Sequence, residues 1–241
     1  MLPTQDKIIA IVPAAGIGSR MGSELPKQYL LLDDQCILAH TLDRLLGHPQ
    51  ISQVIVALHP ADKHFAALAQ ASHPKIMTVT GGGERADSVL AALNRADEHA
   101  WALVHDAARP CLAAADIDRL LAARSEFPQG AILAMPVRDT MKRADAKGCI
   151  QTTVSRERLW HALTPQMFPV ASLRSQLAAA LSAGALITDE ASAMEWAGEA
   201  PGLVVGRADN IKVTHPDDLR LARLFLTRAN GALGQDNQSW K

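Results

Sequence analysis

Four stretches of this 241-residue chain combine residue types that handle anions and sugars. The first is PAAGIGSRM over 13–21, closed by Pro26-Lys27-Gln28. Gly16 and Gly18 let backbone amides approach phosphate oxygens, and a helix start just beyond them adds positive potential. Arg20 and Lys27 bring side-chain charge to the same turn. An ordinary strand–helix turn would use the glycines but needs neither cation. The run is not a dinucleotide fingerprint, whose third glycine position holds Met21, and no Gly-Lys-Ser/Thr follows to make it a P-loop.

The second stretch, GGGERADS over 81–88, places Gly82, Gly83 and Ser88 where main-chain donors and acceptors could read a base edge; a plain flexible turn is the alternative. The third, LVHDAARP over 103–110, sets Asp106 after an apolar run, with Ala107 and Arg109 following. A carboxylate there suits Mg²⁺ or ribose hydroxyls, and equally the start of a turn before Pro110. The fourth is dispersed: Thr140 beside Arg138, Lys142 and Arg143, then Arg156, Thr164, Thr188 in ITDEAS, and Asp209 with Lys212. Thr188 reads as a helix N-cap followed by acidic residues, a role compatible with phosphate binding at the helix start. Lys142 and Arg143 read by default as a solvated face, and the nine histidines show no metal-ligand spacing.

These residues need elements to carry them. Short apolar runs at 8–12, 53–58, 76–79, 101–105 and 131–137 read as buried strands, with helical spacing between them at 37–46, 61–71, 84–99 and 113–124. That alternation predicts an α/β fold, a doubly wound and mostly parallel sheet that binds ligands at the carboxyl ends of its strands. After Pro136 the pattern changes. Polar runs at 139–143 and 149–154 flank DAKG and predict a hairpin arm, about 137–156, projecting from the sheet. Helices follow at 170–183 and 189–196, a strand at 203–205, an extended piece at 211–213 and a helix at 216–228. The tail from 230 to 241 is polar and predicted to fray. No linker divides the chain, so one domain over 1–241 is expected.

Composition sets limits on function. Hydrophobic residues make up 48% and charged residues 20%, enough for a sizeable core. A net charge of -1 supplies no global attraction to nucleic acid or acidic membranes. Cys36, Cys111 and Cys149 are odd in number and widely spaced, which suggests neither a disulfide framework nor a zinc site. The polar start MLPTQDK lacks signal-peptide character, and no apolar run nears the roughly 18 residues of a membrane span. A cytoplasmic protein is expected.

The Gly-x-Gly-x-Arg turn with Pro-Lys beyond it resembles a nucleotidyltransferase signature. Taken together, PAAGIGSRM, PKQY, GGGERADSV, HDAARP, PVRDTMKR, LWHALTPQ, ITDEASA and GRADNIKVTHPDDL resemble the 2-C-methyl-D-erythritol 4-phosphate cytidylyltransferase family, in the family's order over about 7–228. The resemblance implies a Rossmann-like sheet, a homodimer built through the β-arm, CTP as substrate, Mg²⁺ as cofactor and release of pyrophosphate, with no nucleic-acid or membrane partner. It also assigns roles. Arg20, Lys27 and Lys212 become catalytic cations, and Pro13, Ala14, Ala15, Gly16 and Gly18 the phosphate turn. Gly82, Gly83 and Ser88 read the base; the family often carries Asp at the position of Gly83, which leaves a main-chain contact there. Asp106 and Ala107 serve the ribose, with Asp106 and Asp209 at the metal. Arg109, Thr140, Arg156, Thr164 and Thr188 bind methylerythritol phosphate, Thr140 and Arg156 acting in the neighbouring subunit's site. Rival readings are a related polyol-phosphate transferase such as a ribitol phosphate cytidylyltransferase, a nicotinamide oxidoreductase and a non-catalytic binding protein.

Overall fold

The computed structural model describes residues 7–16 and 25–231. Strand β1 (Ile8–Ala14) leads to a short hairpin, β2 (Leu31–Leu32) and β3 (Gln35–Cys36), and then to helix α1 (Ile37–Leu46). Next come β4 (Ile51–Leu58), β5 (Ile76–Thr80), α2 (Arg85–Leu93), β6 (Trp101–Val104), α3 (Ala114–Ala122) and β7 (Ala131–Pro136). The second half holds β8 (Met141–Ala144), β9 (Ile150–Val154), β10 (Trp160–Pro169), α4 (Val170–Ser182), α5 (Glu190–Trp196), β11 (Gly202–Val205) and α6 (Pro216–Gly231).

Seven strands form the main sheet in the order β11-β7-β10-β6-β1-β4-β5. The pairs β6–β1, β1–β4, β4–β5 and β11–β7 are parallel. Alternation along β1 shows why the sheet is covered on both sides. Ile8, Ala10 and Val12 pack with Leu38, Leu42 and Leu45 of α1 and Ile117, Leu120 and Leu121 of α3. Ile9 and Ile11 face the other way, toward Val89 and Leu93 of α2, Leu173 and Leu177 of α4 and Met194 of α5. A strand buried on both faces reads as one continuous apolar run, as 8–12 does.

Several elements differ from the sequence-based expectation. The strand β10 was not anticipated: it lies antiparallel between β6 and β7, near the middle of the sheet. Its apolar run is interrupted by Thr164-Pro165-Gln166, and there the pairing with β7 shifts between Ala162 and Gln166. A proline is tolerated within a sheet at such a bulge, because the missing N–H drops out of the ladder. The helix expected at 61–71 is instead two single 3₁₀ turns, Phe65–Ala67 and Ala69–Ser72, separated by the extended Leu68. The Asp62 carboxylate accepts from the backbone N–H of His64 at 3.0 Å and of Phe65 at 2.9 Å, so local side-chain bonding replaces the helical ladder. Helix α2 ends at Leu93 rather than near His99, because Arg95 and Ala96 donate back to Ala92 and Leu93 in a tight turn. Residues 211–213 form no strand; Ile211 N–H turns back onto Asp209 O at 2.8 Å, and Val213 N–H ties the segment to Ala108 O at 2.8 Å. Helix α6 continues through Gly231, and the rest of the tail lies outside the described residues.

The arm is present. Among the described residues strands β8 and β9 pair only with each other, and the turn between them is held by the Asp145 carboxylate, which accepts from Lys147 and Cys149 N–H at 2.9 Å each. Gly148 takes φ +80 in that turn.

Gly130, just before β7, gives a test of the β10 placement. Its φ is +119, and a Cβ there would run into the Phe168 ring and come within 2.6 Å of the Met167 carbonyl oxygen. Gly130→Ala should lower the unfolding free energy by about 2–4 kcal/mol, combining backbone strain with overpacking. Urea unfolding would measure it, and an unchanged midpoint would contradict the packing of β10 against this turn.

Candidate active site

The carboxyl ends of β1, β5 and β6 open onto one cleft of about 410 Å³. Pro13, Ala14, Ala15 and Gly16 line it from the end of β1. The Gln28 amide shapes that turn: its Nε2 donates to Ala14 O at 2.8 Å and Gly16 O at 3.0 Å. Lys27, next to it, lines the cleft and reaches Val213 O at 3.4 Å, which sets it beside the segment bearing Lys212. Tyr29 braces the same 3₁₀ turn, its hydroxyl donating to Asp62 at 2.7 Å.

The glycine run after β5 forms the opposite wall through Gly82, Gly83 and Ser88. Gly82 N–H donates to the buried Ser88 hydroxyl at 3.1 Å. A Cβ on Gly82 would run into the Asp87 side chain, so the chain can fold back onto the start of α2 only without one. Gly83 has room for a Cβ, the nearest atom lying 3.9 Å away.

Asp106 stands at the end of β6 with its side chain almost wholly buried. Three cations surround its carboxylate: Arg85 Nε at 3.0 Å from Oδ1, and Arg109 Nε at 3.2 Å and Lys212 Nζ at 3.1 Å from Oδ2. Arg85 also forks onto the buried Glu190, at 2.7 and 3.1 Å. Burial alone would raise the Asp106 pKa; Arg85, Lys212 and Arg109 outweigh it and hold the carboxyl far below the usual range. Burial pushes Glu190 up, against the opposing charge of Arg85. Burial would likewise weaken Arg85 as a cation, but Glu190 and Asp106 raise it, whereas burial wins at Arg109 and lowers it.

A neutral scaffold lies behind these charges. Asp106 N–H donates to Thr164 Oγ1 at 3.1 Å, and that hydroxyl meets His105 Nδ1 at 2.9 Å. His105 Nε2 lies 3.1 Å from Arg109 O, which can only accept, so Nε2 carries the proton and Nδ1 accepts from Thr164. Asn210 donates to Thr164 O at 2.7 Å and accepts Arg109 Nη1 at 2.8 Å on its own carbonyl.

The expected residues thus divide. Pro13, Ala14, Ala15, Gly16, Lys27, Gly82, Gly83, Ser88, Asp106, Ala107 and Lys212 come together in the cleft. Arg109 and Thr164 sit behind it, buried and bonded to Asp106. Thr188 is exposed, and the N-cap of α5 is Asp189, which accepts from Ser192 N–H at 2.9 Å; the capping expectation was one residue off because Ser192 completes a capping box with Asp189. Asp209 does not join Asp106: Arg207 holds both its oxygens, with Nε at 2.9 Å. Among the described residues no group of three or more His, Cys, Asp or Glu could hold a metal ion. Thr140 and Arg156 lie on or beside the exposed arm, Arg156 donating to Arg138 O, away from this cleft. Gly18 and Arg20 fall outside the described residues. Sequence reasoning gave no role to Arg85, Glu190 or Gln28. A signal existed for Arg85, a cation opening a helix directly after a glycine run; the amide of Gln28 and the buried Glu190 carried none.

A sequence profile of the 2-C-methyl-D-erythritol 4-phosphate cytidylyltransferase family matches residues 8–228. A relative of that name from Shewanella oneidensis is 71% identical over 227 residues, covering 94% of this chain and 91% of the relative. A crystal structure described as 4-diphosphocytidyl-2C-methyl-D-erythritol synthase superposes with a TM-score of 0.80 at 37% identity, over 92% of this chain and 99% of that one. The Francisella tularensis 2-C-methyl-D-erythritol 4-phosphate cytidylyltransferase gives 0.79 at 34% identity, over 91% and 100%.

The neutral His105 makes a pH prediction. Burial, the largest influence, pushes its pKa down to about 4. An unfolded histidine titrates near 6.5, so between about 4 and 6.5 the unfolded chain binds more protons and stability rises with pH. That stability is complete above about pH 6.5 and falls by about 3 kcal/mol as pH drops toward 4. Urea unfolding across this range should show the slope, and His105→Asn should flatten it.

Proposed function

The chain belongs to the 2-C-methyl-D-erythritol 4-phosphate cytidylyltransferase family, and we propose that the cleft around Asp106 is where it joins CTP to 2-C-methyl-D-erythritol 4-phosphate. The products are 4-diphosphocytidyl-2-C-methyl-D-erythritol and pyrophosphate. The observation that carries this assignment is the convergence of Lys27 and Lys212 on a cleft walled by two backbone turns, with the ionised Asp106 paired to Lys212. The attacking phosphate monoester has a second pKa of about 6, so it is already anionic at neutral pH. No side chain has to remove a proton, which suits a cleft whose nearest histidine is buried and neutral. What the reaction requires is that two anions be brought together, and preorganised cations and amides answer that need.

In this reading the turn at Pro13, Ala14, Ala15 and Gly16, with Gly18 and Arg20, cradles the triphosphate. Gly82, Gly83 and Ser88 read cytosine by main-chain groups, and Asp106 and Ala107 hold the ribose. Lys27 and Lys212 meet the phosphates where charge builds. Arg109, Thr164 and Thr188 serve the methylerythritol phosphate side, Arg109 and Thr164 by shaping the Asp106 turn from behind. Mg²⁺ fits the donor set, because Asp106 stays ionised at the cleft wall and the nucleotide phosphates supply the remaining hard oxygens that this ion favours. When bound it would offset triphosphate charge. Asp209 would have to leave Arg207 to take part.

Pyrophosphate release from CTP should depend on methylerythritol phosphate, with ATP, GTP and ribitol phosphate much poorer substrates. Lys27→Ala should fold normally and lose about 10²–10³-fold in turnover, the scale of one lost preorganised donor. Near-wild-type turnover in that variant would remove Lys27 from the mechanism.

The arm supports a homodimer. An isolated two-stranded hairpin is marginal in water, and this one exposes Ile150 while pairing with no other strand among the described residues. A two-fold clasp with the same hairpin of a second copy would cover it and carry Thr140 and Arg156 toward the other subunit's cleft. A mixed dimer tests this. One subunit carries Lys27→Ala and the other Arg156→Ala. If Arg156 acts in trans, both lesions fall in one site and the mixed dimer regains activity that neither parent has. Exchange of subunits without any recovery would place Arg156 in its own subunit's site.

A further inference from the structure

The three cations on Asp106 are not equivalent. Lys212 is 41% exposed in its side chain and approaches one oxygen as a point charge. Arg85 is 28% exposed and cannot move freely, because Glu190, 2% exposed, takes both of its terminal nitrogens while Nε stays on Asp106 Oδ1. A guanidinium is the group that can do this, since its donors are fixed in one plane. Glu190 is itself held. It opens α5, whose first turn is fastened to β10 by Gln166: Nε2 donates to Asp189 at 2.8 Å, and Oε1 accepts Ala191 N–H at 2.9 Å. Arg85 opens α2, directly after the glycine run that lines the cleft. A rigid path therefore runs from the centre of the sheet, through Gln166, the start of α5, Glu190 and Arg85, to one oxygen of Asp106.

We infer that Glu190 is a positioning residue, clamping Arg85 so that Asp106 stays oriented and charge-compensated when Lys212 is drawn from it to a substrate phosphate. This rests on the reading that Asp106 binds nucleotide and Lys212 phosphate. Arg85, with Arg109, acts as a fixed counter-ion and Lys212 as the transferable one. Without Glu190 the Arg85 fork is free to turn toward incoming phosphate, and Asp106 keeps Arg109 on Oδ2 but loses the fixed partner of Oδ1.

A double-mutant cycle separates this from a merely structural role. The four proteins are wild type, Glu190→Gln, Asp106→Asn and the double variant, compared by kcat/KM for CTP with folding checked by thermal unfolding. Glu190→Gln is nearly isosteric and should lose about 10–100-fold in the wild-type background, as is usual for groups that orient a ligand-binding side chain. In the Asp106→Asn background the same change should cost less than about threefold, because there is no longer a carboxylate to orient. The KM for CTP should rise more than that for methylerythritol phosphate. Equal losses in both backgrounds, or no loss in the wild-type background, would overturn the positioning role while leaving the site assignment standing. Residual activity in Asp106→Asn is what the cycle reads; an Asp106→Asn enzyme as active as wild type would instead sink the assignment of Asp106, and the inference with it. If Glu190→Gln does not fold, Arg85→Lys replaces it in the same cycle; it keeps the charge but cannot fork, and the same two outcomes decide.

Discussion

The arrangement depends on one buried carboxylate. Asp106 lies where burial should discourage ionisation, and it is ionised because three cations are held within about hydrogen-bonding distance of it. Counting Glu190, three cations face two carboxylates, so the cluster keeps one net positive charge before Lys27 is added. Such a cluster is costly to assemble in a dry interior, since each ion loses water. It is affordable here because each fixed member is multiply bonded and the least buried member, Lys212, faces the cleft. Removing Arg85 would leave the buried Glu190 without its cation, and removing Glu190 would raise the net positive charge to two, so the neighbouring elements are constrained together.

That constraint explains why an antiparallel strand sits inside an otherwise parallel sheet. Strand β10 lies beside β6, and its irregularity at Thr164-Pro165 puts the Thr164 hydroxyl under the Asp106 amide. Two residues on, Gln166 reaches the opposite layer and fastens α5. One short stretch of β10 thus supports both the main chain of Asp106 and the helix that carries its indirect counter-ion. On the other side, the loop bearing Asn210 and Lys212 is tied to the Asp106–Arg109 turn by Arg109 and by Val213 N–H. The site is therefore a meeting of five segments far apart in sequence, and each is anchored by a bond that does not involve substrate.

What was legible from sequence follows this division. The strands β1, β4, β5, β6 and β7 and helix α1 announce themselves because both-face burial and helical spacing leave plain apolar patterns. The cleft-facing residues were also readable, because glycine runs and cations at strand ends have few other uses. The supporting shell was not. Strand β10 hides behind a proline and polar side chains that are buried for bonding rather than for packing. Glu190 looked like an ordinary acidic residue in a first helical turn, and Asp209 like a second metal carboxylate. Only the three-dimensional structure shows Glu190 paired with Arg85 and Asp209 with Arg207. The helix expected at 61–71 failed for a related reason: Asp62 competes locally for the amides that a helix would need.

The same distinction bears on how a cytidylyl transfer is supported by a site built around one buried aspartate. Arginine and lysine are used differently here. Arg85 and Arg109 are planar, multiply bonded and directed at protein groups, so they set the geometry of Asp106 and are poor candidates to follow a moving phosphate. Lys27 and Lys212 are ammonium groups on flexible stems at the cleft wall. An ammonium can exchange one oxygen partner for another at little geometric cost, as a reaction requires when negative charge shifts from the attacking phosphate to pyrophosphate. The fixed guanidinium pair keeps the carboxylate charged throughout, so departure of Lys212 does not invite a proton onto Asp106. Rigidity in the arginines and mobility in the lysines are thus two halves of one electrostatic arrangement, built around a single aspartate at the end of a strand.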